Sequence, residues 1–70
     1  MESTQVNKLG KKIQKLRKEL GLSQDEFARK ADVPYTTLTK IETGVIRKPS
    51  VFTVEQVASA LGTSVDSLLS

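Results

Sequence analysis

Ser23-Gln24-Asp25-Glu26-Phe27-Ala28-Arg29-Lys30-Ala31-Asp32-Val33-Pro34-Tyr35-Thr36-Thr37-Leu38-Thr39-Lys40-Ile41 is the stretch that decides the fold. It reads as two short helices joined by a tight turn. Ser23-x-x-Glu26 is a capping box, in which the hydroxyl takes an orphan backbone N–H and the glutamate reaches back. The first helix should end near Ala31. The turn that follows is Asp32-Val33-Pro34, where Asp32 can take a positive φ at lower cost than most residues. Pro34 has no N–H to donate and suits the first turn of a new helix. Inward positions are Phe27, Ala28, Ala31, Val33, Leu38 and Ile41. The outer face of the second helix shows Tyr35, Thr36, Thr39 and Lys40. That face donates and accepts hydrogen bonds and carries positive charge without negative charge. Two crossed helices with such a face are how a small domain reads a DNA major groove.

Working outward, helix 1 is expected over about residues 5–20. Val6, Leu9, Ile13, Leu16 and Leu20 form its apolar stripe, with Ser3 or Thr4 as cap and Gly21 in a left-handed C′ position. Gly10 lies inside this helix and marks close packing. Helix 3 is expected over about 35–42, ended by Gly44. A loop, Val45-Ile46-Arg47-Lys48-Pro49, leads to helix 4 at about 51–61. Ser50 is its best cap and Thr53 a rival start. Its inward residues are Phe52 or Val51, then Val54, Val57, Ala58 and Leu61. Gly62 closes it, and Ser64 caps a last helix, 65–69, with Val65, Leu68 and Leu69. Either both leucines pack inward, or one faces the core and the other forms a dimer patch. No strand pattern, repeat or low-complexity segment is present, so the expected class is all-α.

The 70 residues make one domain at most, taken as residues 1–70. A core of this size supplies only about 3–5 kcal/mol. With no cysteine and no histidine there is no disulfide and no usual zinc site. No metal, cofactor or small-molecule ligand is implied. Lack of cysteine fits a reducing cytoplasm. No apolar run approaches the length of a membrane span, and the polar N-terminus does not resemble a signal peptide. The net charge is +3, unevenly placed. Lys8, Lys11, Lys12, Lys15, Arg17 and Lys18 crowd helix 1 against Glu19, whereas the last twenty residues hold Glu55 and Asp66 and no base. This suggests a polyanion on one side, although surface lysines also serve as plain solvent coating. Catalysis is not expected: there is no histidine or cysteine, no phosphate-cradling glycine loop and no paired carboxylates in a pocket-like setting, and the serines are explained as caps.

The run Ile13-x-x-Leu16-Arg17-x-x-x-Gly21-Leu22-Ser23-Gln24-x-x-Phe27-Ala28 continues as Leu38-x-x-Ile41-Glu42-x-Gly44, then Pro49-Ser50 and Val57-Ala58-x-Ala60-Leu61-Gly62. It resembles the helix-turn-helix domain of the Cro/C1-type repressors, the XRE family, over roughly residues 6–69. One departure is Asp32, where the family usually holds glycine. The resemblance implies a compact five-helix, lambda-repressor-like domain with the helix-turn-helix in helices 2 and 3. It implies sequence-specific binding to double-stranded DNA by a transcriptional regulator, commonly a homodimer on a palindromic operator.

Residue by residue, the resemblance puts Tyr35, Thr36 and Lys40 at base-contact positions, with Thr39 on the same face. Threonine can meet either kind of base edge, and lysine favours guanine O6 and N7. Tyr35 fits the sugar-phosphate backbone equally well. Gln24, at a helix start that suits phosphate, is used in the family at the DNA backbone and to brace the recognition helix. Thr43, Arg47 and Lys48 lie where the family holds phosphates, which positions the protein without reading sequence. Arg17 and Glu42 fall beside apolar positions near helix ends, and in the family they pair as a structural ion pair. Two rival readings keep the same domain. One is an antitoxin or other protein-binding module. The other is an N-terminal fragment of a larger regulator or DNA-modifying enzyme, since a linker would begin near Ser70 in a longer protein.

Overall fold

The helices of this computed structural model, which describes residues 8–69, begin and end at the polar and glycine signals of the sequence. α1 spans Lys8–Glu19, α2 Gln24–Ala31, α3 Tyr35–Thr43, α4 Val51–Leu61 and α5 Val65–Leu69. Among the described residues all regular structure is helical. The expected start of helix 1, its caps Ser3 and Thr4, and Val6 lie outside the described residues.

The caps explain why the elements stop where they do. Ser23 Oγ accepts the Glu26 N–H at 3.1 Å, and Glu26 Oε1 accepts the Ser23 N–H at 2.9 Å. Two orphan donors are thereby satisfied at once. These bonds to Ser23 hold the Glu26 carboxyl below the usual glutamate range. At the other end of α2, Asp32 turns into the left-handed region with φ 59°. This lets the Val33 N–H bond back to the Ala28 carbonyl at 2.9 Å and drops Val33 into the core. Pro34 stands just outside α3 as its N-cap, with no side-chain cap bond. Ser50, not Thr53, caps α4, accepting the Thr53 N–H at 3.2 Å. Ser64 accepts the Ser67 N–H at 3.1 Å at the head of α5.

One core unites all five helices: Ile13, Phe27, Ala28, Ala31, Val33, Leu38, Ile41, Val54, Val57, Ala58 and Leu68. Phe27 and Leu38 are wholly buried. Loss of such an aromatic costs about 3–5 kcal/mol, as much as a domain this small holds in reserve. Ala28 and Ala31 keep α2 close to α3 and α4, with which it packs, while α1 packs most extensively on α3 and also meets α4 and α5. Gly10 is buried on α1.

Two expectations of the apolar spacing are not met, one at Leu20 and one at the start of α4. Leu20 is 47% exposed because α1 ends at Glu19. The chain then turns at Gly21, and Leu22 packs against the core instead. Val51 and Phe52, one of which was expected inside, are both out, at 69% and 78% exposed. With about 100° per residue, Val54, Val57, Ala58 and Leu61 share one side of α4, Phe52 falls almost opposite, and Val51 falls at its edge. In α5, Leu68 is buried and Leu69 exposed, so the pair divides between core and surface.

Candidate nucleic-acid interface

α3 is held by its inward side and offers its outward side. Leu38, Ile41 and Glu42 are buried, while Tyr35, Thr36, Lys40 and Thr43 are exposed and Thr39 is half-buried. Glu42 is the only acid in α3, and it is 0% exposed. The outward side is therefore polar and cationic with no carboxylate on it.

Glu42 is the hub of a buried polar network. Its Oε2 accepts from Arg17 Nε at 2.9 Å, and its Oε1 accepts from Arg17 Nη2 at 3.1 Å. This two-pronged geometry is the strong form of an arginine–carboxylate pair. Gln24 Nε2 donates to the same Oε1 at 3.0 Å. Arg17 Nη1 donates to the Leu22 carbonyl at 2.8 Å, and Gln14 Nε2 donates to the Glu42 carbonyl at 2.7 Å. Thus α1 and α2 clasp the end of α3, and the loop between them steadies Arg17 through the Leu22 carbonyl. Gln14 and the Leu22 carbonyl were not singled out from the sequence. Gln14 precedes Arg17 by three residues, which puts both on one side of α1, and that is the signal that could have found it.

Gln24 opens α2 and is half-buried through its bond to Glu42, so it braces α3 from the first turn of its neighbour. Asp25 and Glu26 beside it would oppose an anion. Asp25 is paired with Arg29 at 3.0 Å, and Glu26 is turned back on Ser23. Past α3, the Ile46 N–H donates to the Lys40 carbonyl at 3.0 Å. This ties the loop to the end of the helix, and Arg47 and Lys48 on that loop are exposed.

Two groups depart from a single basic side. Thr43 Oγ1 donates to the Thr39 carbonyl at 2.8 Å, which removes its proton from any phosphate. Lys8, Lys11, Lys15 and Lys18 are exposed along one stripe of α1. At about 100° per residue that stripe lies opposite Ile13 and Arg17, the side by which α1 meets α3. Lys12 Nζ donates to the Ser67 carbonyl at 2.8 Å and so links α1 to α5. Lys40 is the cation on the outward side of α3, Arg47 and Lys48 are exposed on the loop that follows it, and Arg29, paired with Asp25, lines a cleft with Tyr35; the stripe on α1 lies opposite the side that meets α3.

Among the described residues, no group of three or more metal-ligating side chains comes together, and no helix is long and apolar enough to cross a membrane. Two short crossed helices, set in a five-helix all-α bundle with the second presenting its polar side, define a helix-turn-helix domain. The chain belongs to the Cro/C1-type (XRE) helix-turn-helix family, and the family profile described as Helix-turn-helix matches residues 13–68.

Among its relatives is the HTH-type transcriptional regulator SinR of Bacillus subtilis (strain 168), 39% identical over 61 residues, which are 87% of this chain and 55% of that protein. The chain thus spans about half the length of that regulator. In three dimensions it is similar to SinR, the master regulator for biofilm formation, in its crystal structure in complex with DNA. The TM-score is 0.86 at 39% identity, covering 89% of this chain and 98% of that one. It is likewise similar to the N-terminal DNA binding domain of SinR from Bacillus subtilis, with a TM-score of 0.88 at 38% identity, covering 91% and 93%.

Proposed function

We propose that this domain is a sequence-specific DNA-binding module of a transcriptional regulator acting in a prokaryotic cytoplasm. α3 enters the major groove, and two copies bind a palindromic operator. One observation carries the reading: α3 shows Tyr35, Thr36 and Lys40 to solvent while its sole carboxylate is buried and clamped by Arg17 and Gln24. A helix fixed at its back, with donors and acceptors but no negative charge in front, suits base edges lined by phosphates. The solved likeness of a DNA-bound relative supports the same reading.

In this arrangement Tyr35, Thr36, Thr39 and Lys40 meet the bases or the adjoining backbone. Arg47 and Lys48 meet phosphates, and Gln24 serves as brace and phosphate contact together. Thr43 contributes through its methyl or as an acceptor. The test is selection of bound sites from random DNA, followed by affinity against salt. The expected result is an enriched palindrome with half-sites centred about 10–10.5 base pairs apart. Log K should fall against log salt with a slope near −0.9 per neutralised phosphate. Recovery of no motif would overturn the reading.

A further inference from the structure

Thr39 and Thr43, on the outward side of α3, have no hydroxyl proton left to offer. Thr39 Oγ1 donates to the Thr36 carbonyl at 2.9 Å. Thr43 Oγ1 donates to the Thr39 carbonyl at 2.8 Å, with a longer contact of 3.4 Å to the Lys40 carbonyl. A threonine hydroxyl has one proton and two acceptor lone pairs. With the proton engaged in the helix backbone, only the lone pairs face outward. Turning the hydroxyl round to donate outward would break that bond.

We infer that Thr39 is an acceptor-only reader of DNA, which takes a hydrogen bond from an exocyclic amino group, N4 of cytosine or N6 of adenine. The inference rests on α3 being the recognition helix and names what one of its residues can recognise. In general threonine can bond either kind of base edge. Here the bond to Thr36 removes one of the two options. Guanine N7 and O6 and thymine O4 only accept in the major groove, so Thr39 has nothing to give them. Lys40, the next residue, has the reverse character, with three donors and no acceptor. A G·C pair offers what both need, acceptors on guanine and a donor on cytosine. The two adjacent residues thus give α3 a hydrogen-bond polarity that its sequence alone leaves open.

The test compares the full chain with Thr39→Val, which keeps the branched shape and loses the hydroxyl, and Thr39→Ser, which keeps the hydroxyl and loses the methyl. Thermal melts establish that each variant is folded. Sites are selected from random DNA for each protein. Affinity is then measured for the best site and for the same site lacking one amino group, with 2-pyrimidinone in place of cytosine or purine in place of adenine. The parent should prefer cytosine or adenine at one position. Thr39→Val should relax that preference by roughly tenfold, and Thr39→Ser should keep it. Deleting the amino group should weaken the parent and Thr39→Ser about tenfold and leave Thr39→Val nearly unchanged. The inference is overturned, with α3 still the reader, by any of three results: Thr39→Val selects the parent's motif, it relaxes a guanine or thymine instead, or Thr39→Ser behaves as Thr39→Val does. A parent that selects no motif overturns the functional reading and this inference with it.

Discussion

Replacing Arg17 by alanine tests whether the clamp on α3 is essential to the fold. Glu42 is 0% exposed, and Arg17 supplies two of the three donors to its carboxylate, at 2.9 and 3.1 Å. After Arg17→Ala only Gln24 remains on Oε1, and the Leu22 carbonyl loses its donor as well. Removing one partner of a buried pair costs roughly 3–5 kcal/mol, because an uncompensated charge is left in a poor dielectric. The whole stability available to a core of this size is about 3–5 kcal/mol. Arg17→Ala should therefore be largely unfolded at 25 °C by circular dichroism and urea titration. A double change, Arg17→Met with Glu42→Leu, should regain part of the loss, since two apolar side chains of similar bulk leave no buried charge. An Arg17→Ala protein that melts with the parent would show that the pair contributes nothing the surrounding core cannot replace, and the reasoning would fail.

Further consequences concern the turn, the cap and the loop. Asp32 holds a φ of 59°, where a residue with a Cβ is strained by roughly 1–2 kcal/mol, less for aspartate. Asp32→Gly should raise stability by up to about 1 kcal/mol and Asp32→Val should lower it; a Gly variant melting below the parent would contradict this. The Glu26 carboxyl titrates below its ordinary value through its bonds to Ser23. Its contribution is therefore present above the usual glutamate pKa of about 4.3 and is lost as pH falls through the lower folded value. Glu26→Gln should flatten the acid side of the stability profile, and superimposable acid melts would count against the capping box. Arg47→Ala or Lys48→Ala should reduce the salt slope of DNA binding by about 0.9 each and weaken all sequences alike; an unchanged slope would take that residue out of the interface.

Much of this molecule was legible because its signals are local. Capping serines, the Asp32 turn and the spacing of Ile13, Phe27, Leu38, Ile41, Val57 and Ala58 each depend on neighbours within a few residues. The misplaced residues all sit at helix ends, where an apolar stripe has too few members to fix its phase. Leu20 lies one residue past α1, and Val51 and Phe52 open α4. Phasing α4 on Val54, Val57 and Leu61 would have put Phe52 outside. What depends on contact between distant segments was not legible from residues alone. That Gln14 meets the Glu42 carbonyl is a result of how α1 crosses α3. That Thr39 and Thr43 turn their hydroxyls onto their own helix is a choice of rotamer, which composition does not reveal.

The central claim is that the outward side of α3 reads bases. Its most direct test is selection of binding sites from random DNA by the parent, Thr36→Ala and Lys40→Ala, with melts run beside it. Both side chains are exposed and neither fills the core, so the variants should fold as the parent does. A good base contact discriminates by about 1–3 kcal/mol, so each variant should relax preference at one or two positions by roughly tenfold or more and leave the rest of the motif intact. Folded variants that select a motif identical to the parent's would contradict the account.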